Sequence, residues 1–262
     1  MTLPSVQLIH GDCLKVMPTL PAGSVQMVFA DLPYAETQNK WDLEFPLSHF
    51  FAQMTKLSPK TTVMTATFLF AVRLFQGSTQ KFLYEIIWDK TRASSFAYAK
   101  HRPLRSHEMI MVFGGAGGIY HPQYTDGHKP RKRGAQAPRA SSNGGPIPLP
   151  VATTTRRYPL SVLQQKKDDP RLSQLPSHPT QKPVGLLEWL IRTYTNEGDT
   201  VLDPTAGSMT TAIAALRTGR NAICIEKDAE YFRVGSERVK AEQERLASDL
   251  FSGRAASEQL RA

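Results

Sequence analysis

The tetrapeptide Asp31-Leu32-Pro33-Tyr34 directly follows the compact apolar segment Val25–Ala30, which predicts a buried strand. Ligands of an open α/β sheet bind at the carboxyl ends of its strands, so we expect these four residues to face a ligand. Asp31 and the main-chain carbonyl of Leu32 would accept the two hydrogens of an exocyclic nucleobase amine and direct its lone pair outward. Tyr34 would stack on a base that has left the helix. The alternative is a strand-end turn in which Asp and Pro serve geometry alone.

A second strand end, at Asp203, enters a turn of small residues, Pro204–Met209, before a helix begins near Thr210. Small residues let a ligand approach the backbone, and a helix N-terminus offers free N–H groups. The turn is neither a G-x-G-x-x-G fingerprint nor a P-loop. Glu226 ends the next predicted strand, 23 positions after Asp203, where an acid suits ribose hydroxyls. The alternatives are an ordinary capped β–α turn and a solvated strand end.

Two further segments place polar groups near predicted element ends. His178–Pro183 is an extended lead-in to a helix, and its Lys182 is able to meet a carboxylate. Gly11-Asp12-Cys13 sets another acid after the first strand. The alternatives are an exposed lysine and a turn with a buried small cysteine. The seven His and two Cys show no metal-ligand spacing, so no metal is expected.

Positive charge is concentrated in one internal block. The chain of 262 residues carries a net charge of +9, and Lys100 to Lys167 holds 12 Lys/Arg against two acids. This block includes the basic run Lys129–Arg133 and is rich in Pro and Gly. Such a concentration favours a surface for an anionic partner over a solubility device. The alternative is a solvated, flexible loop.

Strand-like and helix-like segments alternate outside that block, which predicts an α/β sheet with mostly parallel strands. The longest apolar stretch, near Val63–Val72, is far shorter than the ~20 residues of a membrane span. No secretory signal is visible at the N-terminus, and two cysteines exclude a disulfide scaffold. A soluble, cytoplasmic protein is therefore expected.

The motifs together resemble a known family. Gly11–Cys13, Asp31–Tyr34, His178–Pro183 and Asp203–Thr211, followed by Ile225–Phe232, resemble the S-adenosylmethionine-dependent DNA methyltransferases of adenine N6 and cytosine N4. The catalytic tetrapeptide precedes the basic region and the cofactor loop, which is similar to the permuted β-type order of many phage and prophage enzymes. The resemblance covers about Leu8 to Val239 and is weakest at Gly114–Leu175.

The resemblance implies a Rossmann-like seven-stranded methyltransferase sheet with a circularly permuted motif order and a basic target-recognition insertion. The implied boundaries are 1–113 for the N-terminal part with the catalytic tetrapeptide and 114–175 for the insertion. The C-terminal part with the cofactor loop spans 176–240, and 241–262 is a helical tail with a frayed end.

The resemblance also implies roles for individual residues. Asp31, Leu32, Pro33 and Tyr34 would hold the target base. The implied cofactor is S-adenosylmethionine, and its expected contacts are Asp12, Cys13, Thr180, Lys182, Asp203, Thr205, Gly207, Ser208 and Glu226. Among these, Thr180 and Lys182 would meet its carboxylate. The expected DNA contacts are Lys100, Arg102, Arg105, Lys129, Arg131, Lys132 and Arg133. Met209 stands where the family usually has a second glycine, so we expect its side chain to crowd the loop and weaken cofactor binding.

The function implied is site-specific methylation of the exocyclic amine of a flipped base. Asp at the first tetrapeptide position favours adenine N6, and cytosine N4 is the alternative. A DNA-binding protein with weak catalysis is the alternative from another class, and binding of the cofactor in solution would separate the two. The expected partner is double-stranded DNA, with a homodimer left open, no membrane and no metal. The expected location is the nucleoid in the cytoplasm.

Overall fold

The structure is a computed structural model that describes residues 3–36, 44–94, 96, 99–115, 117–129, 131–132, 153–166 and 181–251. The strands are β1 Val6–His10, β2 Met27–Ala30, β3 Thr61–Ala66, β4 Lys81–Ser94, β5 Arg105–Gly114, β6 Arg131–Lys132, β7 Thr153–Thr154, β8 Val162–Gln164, β9 Thr200–Asp203 and β10 Asn221–Glu226. The helices are α1 Cys13–Val16, α2 Leu47–Leu57, α3 Phe68–Gly77, α4 Val184–Tyr194, α5 Thr210–Thr218 and α6 Ala229–Phe251.

Eight strands form one sheet in the order β1-β10-β9-β2-β3-β5-β4-β8. Among the described strands of this sheet, β5 runs against both of its neighbours and the remaining pairs are parallel. The expected mostly parallel α/β sheet is confirmed. It has eight strands where seven were expected, because the three-residue β8 adds to the edge at β4.

Alternate residues of the central strands pack on opposite faces of the sheet, as the two-residue period of a strand requires. Met27 and Phe29 of β2 join the cluster formed with α4, α5 and α6. Val28 and Ala30 join the cluster formed with α1, α2 and α3. All four residues are buried, which explains why this strand reads as a continuous apolar run.

The parallel pairing brings four acids to one edge of the sheet. Asp203 and Glu226 end β9 and β10, and Asp12 and Asp31 follow β1 and β2. These four strands are adjacent and parallel, so their carboxyl ends meet. Because β5 runs in the opposite direction, its early residue Glu108 lies at this same edge, opposite Trp88 of β4.

The chain divides into two compact units. The larger comprises Met1–His121 and Ser161–Ala262, and the smaller is Pro122–Leu160. The smaller unit contains the β6–β7 pair and an antiparallel bridge between Thr125 and Arg157. Strand β8 lies within the span 114–175 predicted as an insertion, yet pairs with β4 of the main sheet. The predicted domain boundaries stay a prediction. No helix among the described residues has the length and apolar character to cross a bilayer.

Candidate active site

A cavity of about 1010 Å³ lies in the larger unit at the carboxyl edge of the sheet. All four tetrapeptide residues line it, together with every predicted cofactor contact among the described residues. These lining residues are Asp12, Cys13, Asp31, Leu32, Pro33, Tyr34, Lys182, Asp203, Thr205, Gly207, Ser208 and Glu226. The predicted contact Thr180 lies outside the described residues. The strand-end motifs therefore converge on one space.

Both carboxylate oxygens of Asp31 accept hydrogen bonds from side chains, one of them within the same tetrapeptide and two from distant segments. The hydroxyl of Tyr34 donates to Asp31 Oδ1 at 3.0 Å, and the hydroxyl of Thr65 in β3 donates to the same oxygen. The ammonium of Lys182 donates to Asp31 Oδ2 at 2.5 Å. The ring of Tyr34 lies against Phe70, with centroids 4.9 Å apart. Asp31 and Tyr34 thus have fixed orientations at the end of β2.

Lys182 belongs to a buried chain of alternating charges. Its Nζ lies 3.4 Å from Glu108 Oε2, and Lys90 Nζ lies 3.3 Å from Glu108 Oε1. The side chains of Lys90, Glu108 and Lys182 are 6%, 15% and 9% exposed. Burial opposes the charge of Lys182, but Asp31 and Glu108 outweigh it and raise the pKa of Lys182. The lysine is therefore held as a cation.

Asp203 anchors the turn that follows β9. Its Oδ1 accepts from the Thr205 N–H at 3.1 Å, and its Oδ2 accepts from the Thr211 hydroxyl at 2.5 Å. Burial raises the pKa of Asp203 to about 7, although these two hydrogen bonds act in the opposite direction. The Thr205 hydroxyl donates to the main-chain carbonyl of Asp31 at 3.2 Å, which ties the turn to the tetrapeptide.

Glu226 closes the same turn from β10. Its two carboxylate oxygens accept from the Gly207 N–H and the Asp228 N–H, each at 2.7 Å. Gly207 has a φ of 51°, a left-handed conformation that glycine adopts without a side-chain penalty. A carboxylate offers about four acceptor positions, so Glu226 keeps capacity for hydroxyl donors.

Asp12 sits at the start of α1 and faces Lys227. Asp12 accepts from the Leu14 N–H at 3.0 Å and from Lys227 Nζ at 3.0 Å. Burial opposes ionisation, but Lys227 and the Leu14 N–H lower the pKa of Asp12. Burial raises the pKa of Cys13 to about 12, so its thiol acts as a small apolar wall. No cluster of three or more His, Cys, Asp or Glu suited to a metal ion occurs among the described residues.

The side chain of Met209, which was expected to crowd the cofactor loop, lies against α6 and not in the cavity, and its expected effect on cofactor binding stays a prediction. Met209 has a φ of 57° and a fully buried side chain, and it is not among the described residues that line the cavity. A methyl group added at Gly235 of α6 would lie 2.5 Å from Met209 Cγ. The side chain therefore occupies the space above this glycine, on the α6 side of the loop.

The predicted DNA contacts fall in several places. Lys100 and Arg102 are exposed in the larger unit, where Arg105 forms an ion pair with Glu36 at 3.7 Å. Lys129 is exposed in the smaller unit. Arg131 and Lys132 form β6, and Arg133 lies outside the described residues.

The sequence assigned no role to Thr65, Glu108 or Lys90. In the structure Thr65 bonds to Asp31, Glu108 pairs with Lys182, and Lys90 pairs with Glu108. Glu108 lies in β5 just before the apolar segment Met109–Phe113 rather than after it, so the strand-end pattern that found Asp31 did not apply to it. Its position at this edge depends on the reversed direction of β5. An acid at the start of a buried strand is the signal that was available.

Comparison with known proteins gives the class. Residues 25–237 match the family model for N6/N4 methyltransferases, described as DNA methylase. The chain is 28% identical to the DNA adenine methyltransferase YhdJ of Escherichia coli K12, over 93% of this chain and 85% of that protein. The structure is similar to that of M1.HpyAVI in its complex with SAM (TM-score 0.61, 22% identity), covering 89% of this chain and 98% of that one. It is also similar to the cytosine-N4-specific PvuII DNA methyltransferase (TM-score 0.60, 18% identity, 93% of each chain).

The family match covers most of the chain, so the chain belongs to the N6/N4 DNA methylase family. It is a DNA methyltransferase of the adenine-N6 or cytosine-N4 type, and the two solved structures share its fold.

Proposed function

We propose that the chain transfers the methyl group of S-adenosylmethionine to N6 of a flipped adenine in double-stranded DNA. The observation that carries this proposal is that Asp31–Tyr34 and the turn after Asp203 line the same cavity. The two segments are linked by the hydrogen bond from the Thr205 hydroxyl to the main-chain carbonyl of Asp31. Asp at the first tetrapeptide position favours adenine, as does the similarity to an adenine methyltransferase over 93% of the chain.

The donor set fits S-adenosylmethionine. Glu226 has acceptor capacity for ribose hydroxyls, and Asp12 with Cys13 would lie near the adenine of the cofactor. Asp203, Thr205, Gly207 and Ser208 would line its methionine end. When bound, the cofactor supplies a methyl group on a sulfonium, whose sulfur leaves as a neutral thioether.

The chain then has to position an amine and exclude water. Asp31 and the main-chain carbonyl of Leu32 accept the hydrogens of the target amine, which orients its lone pair toward the methyl group. The carboxylate of Asp31 stabilises the positive charge that develops on the nitrogen as the N–C bond forms and the S–C bond breaks. The methylated nitrogen then loses a proton, which passes by way of the partly exposed Asp31 carboxylate to solvent. Tyr34, held by its bond to Asp31 and its contact with Phe70, supplies the stacking face.

The smaller unit and the predicted DNA contacts of the larger unit, Lys100, Arg102 and Arg105, would bind the duplex. Tyr124 and Tyr158 have ring centroids 4.8 Å apart, and the Arg156 guanidinium lies 4.9 Å from the Tyr124 ring. Tyr158 is 64% exposed, and Lys129 is also exposed. Exposed aromatic and cationic groups together suit bases and phosphates. Such an enzyme would act on the nucleoid in the cytoplasm.

The homodimer that the sequence left open has a candidate surface on α3. Phe68, Leu69 and Phe75 are 67%, 70% and 57% exposed on this one helix. Exposed apolar patches of this kind mark protein interfaces. Sedimentation of the wild-type chain and of Leu69→Glu tests the assignment, since a dimer through α3 would dissociate in the variant.

Mass spectrometry of nucleosides tests the proposed reaction. Duplex DNA incubated with the chain and S-adenosylmethionine is digested, and N6-methyldeoxyadenosine is the expected product. N4-methyldeoxycytidine would assign the target as cytosine instead. If neither adenine nor cytosine carries a methylated amine after the reaction, the proposal is contradicted.

A further inference from the structure

The strongest feature that the proposed reaction leaves unused is the charge chain Lys90–Glu108–Lys182–Asp31. Its members come from four separate elements: β4, β5, the segment before α4, and the end of β2. Each charge lies within 3.4 Å of an opposite one. Buried ions persist in proteins when they are paired in this way, so these four paired charges form a specific structural feature of the fold.

The contacts of Lys182 bear on its role. Its ammonium is 2.5 Å from Asp31 Oδ2 and 3.4 Å from Glu108 Oε2, and its side chain is 9% exposed. A lysine placed between two carboxylates has its charge already matched. Recruiting it to a cofactor carboxylate, as the sequence suggested, would break a short buried ion pair and leave Asp31 and Glu108 facing each other.

The charge chain Lys90–Glu108–Lys182–Asp31 also suits the positive charge that develops on the amine nitrogen during methyl transfer. Asp31, Lys182 and Glu108 line the cavity and together carry one net negative charge, and Lys90 supports Glu108 from β4. Without Glu108, Lys182 would cancel the charge of Asp31 next to a nitrogen that is becoming positive. Among the residues that line the cavity, Glu108 offsets the charge of Lys182 while the lysine still fixes the carboxylate. Lys90, which is not one of these lining residues, pairs with Glu108 and brings the sum of the four charges to zero.

We propose that Lys182 and Glu108 are positioning residues for Asp31, with Lys182 orienting the carboxylate and Glu108 holding and balancing the lysine. This rests on the proposed function, since Asp31 is taken as the acceptor of the target amine. The two oxygens of Asp31 have different kinds of donor. Oδ1 accepts from the neutral hydroxyls of Tyr34 and Thr65, and Oδ2 accepts from the ammonium of Lys182.

A double-mutant cycle with Glu108→Gln and Lys182→Met tests the proposal. The readouts are the single-turnover rate of methyl transfer and, separately, the S-adenosylmethionine Kd by calorimetry. Glu108→Gln should slow transfer by about 10- to 100-fold, the scale of a misplaced reacting group. The Kd should stay within about two-fold, because the variant alters orientation rather than cofactor contacts. In the Lys182→Met background, Glu108→Gln should add no further loss, since Glu108 acts through the lysine.

Two controls keep the experiment decisive. Glu188→Gln neutralises a similarly buried acid on α4, which pairs with Arg192 of the same helix at 3.2 Å and with Arg217 of α5 at 3.7 Å, and it should leave both readouts unchanged. Lys182→Arg keeps the charge and should retain more activity than Lys182→Met. If Lys182→Met does not fold, Glu108→Gln and Lys182→Arg carry the test, with their melting temperatures as the check on folding.

Three results would overturn the assignment. These are an unchanged rate in Glu108→Gln, full additivity in the double variant, and a loss of about ten-fold or more in cofactor affinity in the lysine variants, which would return Lys182 to the cofactor carboxylate. A wild-type chain that methylates no DNA would instead contradict the proposed function. That outcome is read from the wild type alone, and the cofactor Kd of the lysine variants still decides the role of Lys182.

Discussion

Met209 and Gly235 are complementary: the methionine side chain fills the space that the glycine leaves on α6, and an added methyl at Gly235 would come within 2.5 Å of Met209 Cγ. The neighbouring Arg238 guanidinium donates to the carbonyl of Ser208. Helix α6 therefore supports the cofactor loop at two successive residues. A bulky side chain is accommodated at a left-handed position because it packs behind the loop instead of toward the cavity.

Gly235→Ala should destabilise the protein by about 1–3 kcal/mol, because overpacking displaces Met209 and the loop. Adding Met209→Gly removes the clash and places glycine at a φ of 57°, so the double variant should lose less stability than the two single losses combined. Urea unfolding measures the free energy of unfolding of the single and the double variants. Gly115→Ala is the matched control, since a methyl group there meets nothing within 4 Å. Additive losses would contradict the contact.

Affinity for S-adenosylmethionine should rise with pH up to about 7 and then level off. Asp203, with its pKa raised to about 7 by burial, is mostly protonated below that pH. A cationic ligand favours the ionised form, so binding should release a proton near pH 6–7. Calorimetry in buffers of different ionisation enthalpy measures that release. An affinity for S-adenosylmethionine that does not change between pH 5.5 and 8 would show that the ionisation of Asp203 does not contribute to cofactor binding.

Asp203→Asn should raise stability at pH 8 relative to wild type while weakening cofactor binding. The folded-state pKa lies above the ordinary value of 3.8, so the native chain holds a proton that the unfolded chain releases between about pH 4 and 7. Ionisation of Asp203 therefore lowers the free energy of unfolding as pH rises through that window. The asparagine lacks this effect: its Oδ1 still accepts from the Thr205 N–H, and its Nδ2 donates to the Thr211 hydroxyl oxygen, which becomes the acceptor. Unfolding curves at pH 5 and 8 should show a larger advantage of the variant at pH 8.

The acids of the site were predictable from sequence because each one ends or follows a short apolar strand. That rule found Asp12, Asp31, Asp203 and Glu226, and parallel pairing then brought them together. Helix α3 was not predicted, because the run Phe68–Val72 is apolar on all sides and shows no helical period. Likewise, the partners of Lys182 follow from strand direction and packing, which local patterns do not encode.

Neutralising the basic run should weaken DNA binding and flatten its salt dependence. Each phosphate contact contributes about −0.9 to the slope of log affinity against log salt. The variant replaces Lys129, Arg131, Lys132 and Arg133 with alanine. The control removes the same charge at the exposed residues Lys15, Lys60, Lys81 and Lys240. Cofactor affinity should not change in either variant, and an unaltered slope would move DNA recognition to Lys100–Arg105 or Arg156–Lys167.

The central claim is that the carboxylate of Asp31 receives the target amine. Transfer of a labelled methyl group into duplex DNA by the wild type and by Asp31→Ala, with the S-adenosylmethionine Kd of each, tests it most directly. The variant should lose about 10²-fold or more in rate, as for removal of a positioned electrostatic group, while it still binds the cofactor. Wild-type turnover by Asp31→Ala would contradict it.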